Sequence, residues 1–211
     1  AGQLILNEIV SNALHSASQN TSSKNVCLAG GVALNSVANE EAFRRSRFEN
    51  IYIMPNAGDT GHALGCALHG ACKVMGNTLP GGIPTDYLGP RYERTAARRE
   101  LEKRNLEWSE PEDPFSAVAT LIEEGKIVGW FNGGSEHGPR ALGNRSILAD
   151  PRPATMKDHL NDQVKHREPF RPFAPAVLKE AAGDWFEMKD TSPFMLRVVD
   201  VIQSRQPSLA G

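Results

Sequence analysis

The first third of the chain alternates between two spacings of apolar residues. Between residues 2 and 18 the apolar positions recur about every 3.6 residues, which predicts an amphipathic helix whose apolar face carries Leu4, Ile5, Ile9, Val10 and Leu14. The pattern then predicts a strand over 25–31 ending in Gly-Gly, a helix over 32–45, a strand over 50–55, and a small-residue helix over 62–76. This order is typical of an α/β fold.

A second α/β pattern follows residues 77–93, a stretch rich in proline and glycine that we interpret as a connection between two domains. It predicts helices over 94–105, 114–125, 154–164 and 179–187, strands over 126–131, 145–150 and 194–201, and an extended stretch over 170–178. The expected domains are residues 1–84 and 85–211.

Composition narrows the function classes. The 211 residues carry a formal net charge of −2, with 40% hydrophobic and 23% charged residues, which is ordinary for a soluble globular protein. A chain-wide nucleic-acid surface is not expected, and no apolar run is long enough for a membrane span. The three cysteines show no CxxC pair, so we expect buried reduced thiols in a cytoplasmic protein.

Two glycine loops are candidates for binding phosphate or metal. In "LAGGVALN", Gly30 and Gly31 follow a predicted strand and Asn35 lies in the next helix, where backbone N–H groups could hold a phosphate. The alternative is a tight turn that only connects the two elements. In "PNAGDTGHALG", Asp59 could bind a metal or a nucleotide hydroxyl, or it could simply cap the following helix.

Two basic stretches in the second half are candidates for an anion site. The first, "EHGPRALGNRSILADPR" at 136–152, and the second, "VKHREPFRPFAP" at 164–175, alternate basic residues with Pro, Gly and Phe. The guanidinium group pairs bidentately with phosphate, and proline restricts the backbone that holds it. The basic residues are Arg140, Arg145, Arg152, Lys165, Arg167 and Arg171. The alternative is a solvated surface paired with Glu136, Asp150 and Glu168.

Together these stretches resemble the carbamoyltransferase family of the NodU, TobZ and cephamycin type. The matching segments are "GGVALNSVAN", "IYIMPNAGDTGHALG", "GWFNGGSEHGPRALGNRSILADPR" and "LNDQVKHREPFRPFAPAVL". The resemblance implies that residues 1–84 are the C-terminal part of a Kae1-like domain of the actin-like ATPase type. Residues 85–211 would be the N-terminal part of a YrdC-like domain.

The resemblance also implies a mechanism. The YrdC-like part would convert carbamoyl phosphate and ATP, through carbamate, to carbamoyl-adenylate. The Kae1-like part, with an iron-type divalent metal, would transfer the carbamoyl group to a hydroxyl of a small molecule or glycan. Neither nucleic acid nor membrane is an expected partner.

Residue by residue, the resemblance implies roles for nine positions. Arg140, Lys165 and Arg171 match the catalytic basic residues around carbamoyl phosphate and the adenylate, with Arg145 and Ser146 as neighbours in the same site. Gly30, Gly31 and Asn35 match the nucleotide loop, and Asp59 matches a metal ligand, which overturns the capping interpretation. Arg152 is assigned to the surface.

The chain also departs from the family pattern. The histidines that would complete the metal site are expected in a preceding region, and the "HVDGTARVQ"-like and "NTSFN"-like stretches are not in this sequence. We therefore expect a fragment without turnover of its own. Two rival functions remain: a threonylcarbamoyl-type tRNA-modification protein, and a non-catalytic nucleotide-binding module.

Overall fold

The structure, a computed structural model, describes residues 1–78, 85–188 and 190–208. The chain forms two compact units. Unit 1 comprises Ala1–Asp86, Glu136–Leu142 and Asp190–Val199, and unit 2 comprises Tyr87–Ser135, Gly143–Lys189 and Asp200–Gly211. The predicted connection at 77–93 lies partly outside the described residues, since 79–84 are not among them. The assignment of 1–84 and 85–211 to two domains stays a prediction.

Unit 1 is built around a parallel strand pair. Its elements are α1 (Gly2–Gln19), β1 (Asn25–Leu28), a 3₁₀ turn (Gly31–Leu34), α2 (Ser36–Arg44), β2 (Asn50–Ile53), a 3₁₀ turn (Asp59–Gly61) and α3 (His62–His69), which a π-helical turn extends over Gly70–Val74. β1 and β2 pair in parallel, with Asn25 opposite Asn50 and Leu28 opposite Ile53. Because parallel strands need a crossover connection, α2 completes a βαβ arrangement, and the predicted α/β order is confirmed for this unit.

The predicted continuous helix over 32–45 is wrong, because Asn35 interrupts it. The backbone of Asn35 is extended, with φ −84° and ψ 94°, and its side-chain oxygen accepts a hydrogen bond from the backbone N–H of Ala38. This is a helix N-cap, which satisfies one of the backbone donors that every helix start leaves unpaired. Asn35 therefore precedes α2 and does not lie inside it.

The helix α1 forms as predicted, but only part of its predicted apolar face is buried. Leu14 is buried together with Ser11 and Ser18, whereas Leu4, Ile5 and Ile9 are 60–70% exposed. Small side chains let two helices approach closely, and α1 packs against α2. The hydrophobic pattern therefore found the helix and Leu14, but not the serines that α1 buries in unit 1.

The described core of unit 1 is small, and one of its residues comes from far along the chain. Ala33, Ile53 and Ala57 pack with Leu196, which is 3% exposed. The strand predicted over 194–201 is wrong: this segment turns at Met195, which has a φ of +53°, and pairs with no strand of unit 1 among the described residues. A left-handed residue cannot continue an extended strand, so side chains must hold the segment instead.

A buried asparagine holds this segment to α2. Asn39 is 1% exposed, and its amide nitrogen donates to the carbonyl oxygens of Ala33 at 2.8 Å and Leu196 at 2.9 Å. Buried carbonyl groups need hydrogen-bond partners, and this amide supplies one to each. One side chain thus connects the glycine loop after β1 with the segment 190–199.

A buried ion pair reinforces the same attachment. Arg197 donates from Nε to Glu40 at 2.6 Å and from Nη1 to Asp190 at 2.6 Å. Burial by itself would lower the pKa of Arg197, but the hydrogen bonds to Glu40 and Asp190 outweigh burial and raise it. Removing either partner of such a pair leaves an uncompensated buried charge, which is strongly destabilising.

Unit 2 contains an antiparallel strand pair. Its elements are α4 (Arg94–Lys103), α5 (Pro114–Glu123), β3 (Val128–Phe131), β4 (Arg145–Leu148), α6 (Met156–His159) continued by a π-helical turn (Leu160–Lys165), a 3₁₀ turn (Lys179–Ala181) leading into α7 (Ala182–Trp185), and a 3₁₀ helix (Gln203–Ser208). β3 and β4 pair with Val128 opposite Leu148 and Phe131 opposite Arg145. The predicted strands over 126–131 and 145–150 are confirmed with shorter bounds.

Helix α5 starts where its sequence predicts. The side chain of Asp113 accepts hydrogen bonds from the backbone N–H groups of Phe115 and Ser116, and Pro114 occupies the first helical position. The N–H that proline lacks would be unpaired at this position in any case, so proline is tolerated there. The hydrogen bond from the Ser116 hydroxyl to Asp113, together with those from the backbone N–H groups, lowers the pKa of Asp113.

Two composition-based expectations can be compared with the structure. In the described part of the chain, no helix combines the length and the apolar character needed to cross a bilayer. The cysteines are free, as expected, but Cys27 and Cys66 are exposed, so the expectation of buried thiols is wrong for these two.

We predict that Asn39→Ala lowers the free energy of unfolding by roughly 1–3 kcal/mol, because it leaves two buried carbonyl groups without their donor. Urea unfolding followed by circular dichroism measures this loss. Asn20→Ala is the matched control, since the Asn20 amide also donates to a carbonyl, that of Ser16, but on the exposed surface. A loss no larger for Asn39→Ala than for Asn20→Ala would contradict the attachment of residues 190–199 through Asn39.

Candidate functional site

The loops that follow β1 and β2 are joined by a backbone hydrogen bond. The N–H of Gly30 donates to the carbonyl of Ala57 at 2.7 Å, and the carbonyl of Gly30 accepts from Ala33 at 3.0 Å. Gly30 has a φ of +96°, a conformation that only glycine adopts without strain. Gly31 begins the short 3₁₀ turn after it. The predicted turn is therefore a fixed loop at the carboxyl end of β1.

A cleft of about 490 Å³ opens between these loops and α3. Gly30 and Gly58 line it from the two loops, and His62, Cys66 and His69 line it from one face of α3. Ligands of α/β proteins commonly bind outside the carboxyl ends of parallel strands, which is where this cleft lies. Because these glycines have no side chain, the backbone itself lines part of the cleft, and a flat or phosphorylated ligand could approach it closely.

Asp59 lies beside this cleft, in the 3₁₀ turn that precedes α3. Its side chain is exposed, and neither this turn nor α3 has a side-chain cap, so Asp59 does not act as an N-cap. Among residues 1–78, 85–188 and 190–208, no three His, Cys, Asp or Glu side chains are placed to hold a metal ion together. Asp59 could supply one ligand, but these residues do not complete a metal site.

The side chain of Asn35 is occupied within the protein. Its amide oxygen caps α2, and its amide groups also exchange hydrogen bonds with the side chain of Gln3 at 3.2 and 3.0 Å. The prediction placed Asn35 within the helix with its side chain free for a phosphate or ribose. In the structure, binding a nucleotide through Asn35 would first require the loss of the contact with Gln3.

Arg140 lies in the segment 136–142, which belongs to unit 1. Its Nη2 donates to the carbonyl oxygen of Leu34, at the end of the glycine loop, at 3.0 Å. Its Nε is buried and has no hydrogen-bond partner among the described residues. The structure therefore groups Arg140 with Gly30 and Gly31, and the guanidinium group is only partly used by the protein.

Three further contacts fix the same segment. The N–H of His137 donates to the carbonyl of Asp86 at 2.6 Å, and its ring nitrogen Nε2 lies 3.3 Å from the amide nitrogen of Asn56. The backbone N–H of Leu142 donates to the carboxylate of Glu136 at 2.9 Å, which closes the loop on itself. Neither Asn56 nor His137 was predicted as a site residue. The available signals were that Asn56 directly follows the predicted strand 50–55 and that His137 lies inside the basic stretch 136–152.

Asp86 is a buried carboxyl group beside this segment. It is 4% exposed, and its Oδ2 has no hydrogen-bond partner among the described residues. Burial raises the pKa of Asp86, the charge of Glu136 raises it further, and His137 opposes this in part. The charged form of Asp86 is therefore disfavoured in the folded protein. No motif marked this residue in the sequence.

In unit 2, Arg145 and Ser146 bind the protein itself. Arg145 donates to the carbonyl oxygens of Asn132 at 2.6 Å and Gly133 at 3.3 Å, and its guanidinium carbon lies 3.6 Å from the ring centre of Phe131. The hydroxyl of Ser146 accepts from the N–H of Gly143 at 2.9 Å. Both residues organise the loop between β3 and β4, and their predicted role beside carbamoyl phosphate stays a prediction.

Lys165 and Arg171 lie on the second basic segment of unit 2. Lys165 ends the π-helical turn and is exposed. Arg171 is half-exposed and its Nε donates to Glu168 at 2.9 Å. Arg152 likewise pairs with Asp150, at 2.7 Å, and its hydrogen bonds lower the pKa of Asp150. The ion pairs with Asp150 and Glu168 are those that the solvated-surface alternative predicts.

The predicted site residues therefore fall into two sets. Unit 1 holds Gly30, Gly31, Asn35, Asp59 and Arg140, whereas unit 2 holds Arg145, Ser146, Lys165 and Arg171. The stretch "EHGPRALGNRSILADPR" is divided between the units after Leu142. The sequence analysis treated this stretch as one loop serving one anion site, and that grouping stays a prediction.

We predict that Asp86→Asn raises the melting temperature at neutral pH and that this gain shrinks as the pH falls. The pKa of Asp86 is raised on folding, so the folded protein is destabilised as the pH rises from the unfolded-state pKa through the folded-state pKa. Asparagine removes that cost, because it carries no charge to desolvate. Calorimetry at neutral and acidic pH measures the difference.

Asp158→Asn is the control, since the Asp158 side chain is 67% exposed and its substitution removes a charge that water already solvates. If the melting temperatures of Asp86→Asn, Asp158→Asn and the unchanged chain depend on pH in the same way, the burial of a charge at Asp86 is contradicted.

Sequence comparisons place these residues in a family. The model described as "Carbamoyltransferase N-terminus" matches residues 2–68, and the model described as "Carbamoyltransferase C-terminus" matches residues 119–211. The N-terminal match includes the glycine loop and Asp59. The C-terminal match includes Arg140, Lys165 and Arg171.

Curated relatives cover most of the chain. It is 46% identical over 186 residues to an uncharacterized protein of Synechocystis, which covers 84% of this chain and 30% of that protein. It is 42% identical to the nodulation protein NolNO of Sinorhizobium fredii, covering 99% of this chain and 32% of the relative. For the nodulation protein NolO of Bradyrhizobium diazoefficiens the identity is 41%, with coverage of 96% and 38%.

The chain thus spans about a third of the length of these relatives. Both terminal family models match in chain order, and the segments that carried the resemblance fall almost entirely within them. This chain belongs to the carbamoyltransferase family.

Proposed function

We propose that this chain is part of an ATP-dependent O-carbamoyltransferase, which moves a carbamoyl group from carbamoyl phosphate to a hydroxyl group of a small molecule or glycan. The observation that carries the proposal is the match of both carbamoyltransferase models in chain order. Two nodulation proteins match nearly the whole chain, and we propose that this chain shares its class of acceptor with them. The reaction would take place in the cytoplasm, where ATP is available.

The proposed route runs through carbamoyl-adenylate. Water would hydrolyse carbamoyl phosphate to carbamate and inorganic phosphate, and a carbamate oxygen would then attack the α-phosphorus of ATP and displace pyrophosphate. The acceptor hydroxyl would then attack the carbamoyl carbon, lose its proton to solvent or a base, and release AMP. Carbamate is a poor electrophile, and the bond to AMP supplies a good leaving group. Fixed cations would stabilise the charge on the phosphate groups.

The cleft of unit 1 supports a nucleotide site. It lies at the carboxyl ends of the parallel strands, and Gly30 and Gly58 bring the backbone to its surface. Arg140 contacts the end of the glycine loop through Leu34 and has donor capacity left over. We propose that Gly30, Gly31 and Arg140 contact the phosphate groups, with Asn35 fixing α2 beside them. Asp59 is proposed as one metal ligand, with the others supplied by residues beyond those described.

The second basic segment of unit 2 supports a site for carbamoyl phosphate. A surface recess of about 610 Å³ is lined by Arg167 and Arg171, among other residues. Arg171 and Lys165 face water, and among the described residues only Arg171 has an acidic partner, so both remain available to an anion. Arg145 and Ser146 would act indirectly, by holding the loop between β3 and β4 in place.

We predict that Arg171→Ala weakens the binding of carbamoyl phosphate to this chain about tenfold or more, since a hydrogen bond between charged groups contributes roughly 1.5–3 kcal/mol. Arg140→Ala is expected to weaken the binding of ADP and AMP, because Arg140 lies at the glycine loop. Isothermal titration calorimetry with ADP, AMP and carbamoyl phosphate measures both effects.

Arg104→Ala is the matched control, because Arg104 is an exposed arginine in a local ion pair with Glu100 on α4. Its substitution is expected to leave all three affinities unchanged. If the chain binds adenine nucleotides but not carbamoyl phosphate, and if Arg140→Ala and Arg171→Ala leave its affinities unchanged, it is a nucleotide-binding module instead.

A further inference from the structure

The second basic segment is held in shape by one buried asparagine. Asn161 is 1% exposed; its amide oxygen accepts from Nε of Arg167 at 2.7 Å, and its amide nitrogen donates to the carbonyl of Arg171 at 3.0 Å. Both ends of a buried amide are therefore used, which fixes the side chain of Arg167 and the backbone of Arg171. His166, with a φ of +48°, provides the sharp turn into this segment.

The two arginines of the segment differ in how much of their charge is available. Arg167 is bound on several sides: Nε to Asn161, Nη2 to the carbonyl of Pro172 at 3.2 Å, and the guanidinium carbon 4.5 Å from the ring centre of Phe173. Arg171 has a different environment, because its partner is the carboxylate of Glu168. Arg167 thus stabilises the segment itself, and Arg171 is the arginine of this segment that an incoming anion could bind.

The pair between Glu168 and Arg171 is close but weak. Nε of Arg171 lies 2.9 Å from Oε2 of Glu168, and the two side chains are 52% and 54% exposed. The N–H of Arg171 also donates to the carbonyl of Glu168 at 3.2 Å, so the backbone keeps the two side chains on the same side of the turn. Exposed ion pairs of this kind contribute at most about 1 kcal/mol, so a multiply charged anion can compete with the carboxylate.

The recess around this pair is close to electrically balanced. Its lining contains Arg167 and Arg171, but also Asp162 and Glu168, and His166 completes it. Asp162 accepts a hydrogen bond from the side chain of Gln163 and makes no ion pair with either arginine among the described residues. Glu168 is therefore the carboxylate that directly covers the available guanidinium group.

We propose that Glu168 is an internal counter-ion that occupies Arg171 in the free protein and that an anionic substrate displaces. This rests on the proposed function, since it takes the recess as the site for carbamoyl phosphate. An anion that binds Arg171 at Nε has to separate the pair, and an anion that binds its other guanidinium nitrogens still meets a carboxylate nearby. Glu168 consequently lowers the affinity of the recess for phosphate groups, which favours release of the inorganic phosphate formed in the first step.

Glu168→Gln tests this directly, because glutamine keeps the size and a hydrogen-bond acceptor but loses the charge. The probes are carbamoyl phosphate and inorganic phosphate, titrated into the 211-residue chain at low ionic strength. We expect Glu168→Gln to tighten the binding of both about two- to fivefold, the factor that corresponds to an exposed ion pair. A carboxylate that merely supported the loop would give the opposite result, a loss of affinity.

Three variants make the outcome specific. In an Arg171→Ala background the gain from Glu168→Gln should disappear, because there is no guanidinium group left to uncover. Asp162→Asn removes the other acidic charge of the recess without breaking an ion pair and should give a clearly smaller gain. Glu100→Gln, which breaks a comparable exposed pair on α4, should give none. Equal gains for Asp162→Asn and Glu168→Gln would show a general charge effect and overturn the proposal.

The remaining outcomes separate this proposal from the function on which it rests. If Arg171→Ala weakens phosphate binding but Glu168→Gln leaves it unchanged or weakens it, Glu168 is not a competing counter-ion, while the proposed substrate site stands. If Arg171→Ala leaves phosphate binding unchanged, the recess is not the site for carbamoyl phosphate. The proposed substrate site and the proposed role of Glu168 then both fail.

Discussion

The hydrogen bond from Gly30 to Ala57 is the constraint around which unit 1 is arranged. It joins the loops that leave two parallel strands, and it requires the left-handed backbone that Gly30 adopts. With these loops fixed together, the short 3₁₀ turn places Asn35 at the start of α2, and the cleft can open between the loops and α3. A side chain at position 30 would find space, but its backbone would be strained.

Side-chain amides hold several segments of this structure that no strand pairing reaches. Asn39 holds the segment 190–199, Asn56 contacts His137, and Asn161 fixes the second basic segment. An amide both donates and accepts, so one buried residue can satisfy two backbone or side-chain groups that no strand reaches. The segments that carry the candidate residues are therefore positioned by side chains outside the regular secondary structure.

The sequence predicted the regular elements better than their tertiary contacts. The parallel strands and α1 could be predicted because periodicity and glycine placement are local signals. The strand over 194–201 could not be excluded from its apolar pattern: Leu196 is apolar because it fills the core of unit 1, and the turn at Met195 depends on that distant packing. Likewise, the serines that α1 buries carry no hydrophobic signal.

The candidate site shows the same difference between local sequence signals and tertiary contacts. Motifs found the residues that face a ligand cleft or recess, such as Gly30 and Arg171, because glycine and arginine serve recognisable chemistry. They did not find Asp86, Asn56 or Asn161, which are buried and act through contacts that no motif marks. Nor did they separate Arg140 from Arg145, because neighbouring positions in a loop can belong to different compact units.

Gly61 limits the substitutions that this sequence can accept. A β-carbon at position 61 would lie 2.0 Å from the carbonyl oxygen of Asn56, and one at Gly138 would lie 3.1 Å from that of Pro55. The loop after β2 therefore fits closely against both glycines, while the amide of Asn56 reaches His137. Positions 61 and 138 should therefore remain glycine as the sequence changes, because the nearest atoms that a β-carbon would meet are backbone atoms, which no other substitution removes.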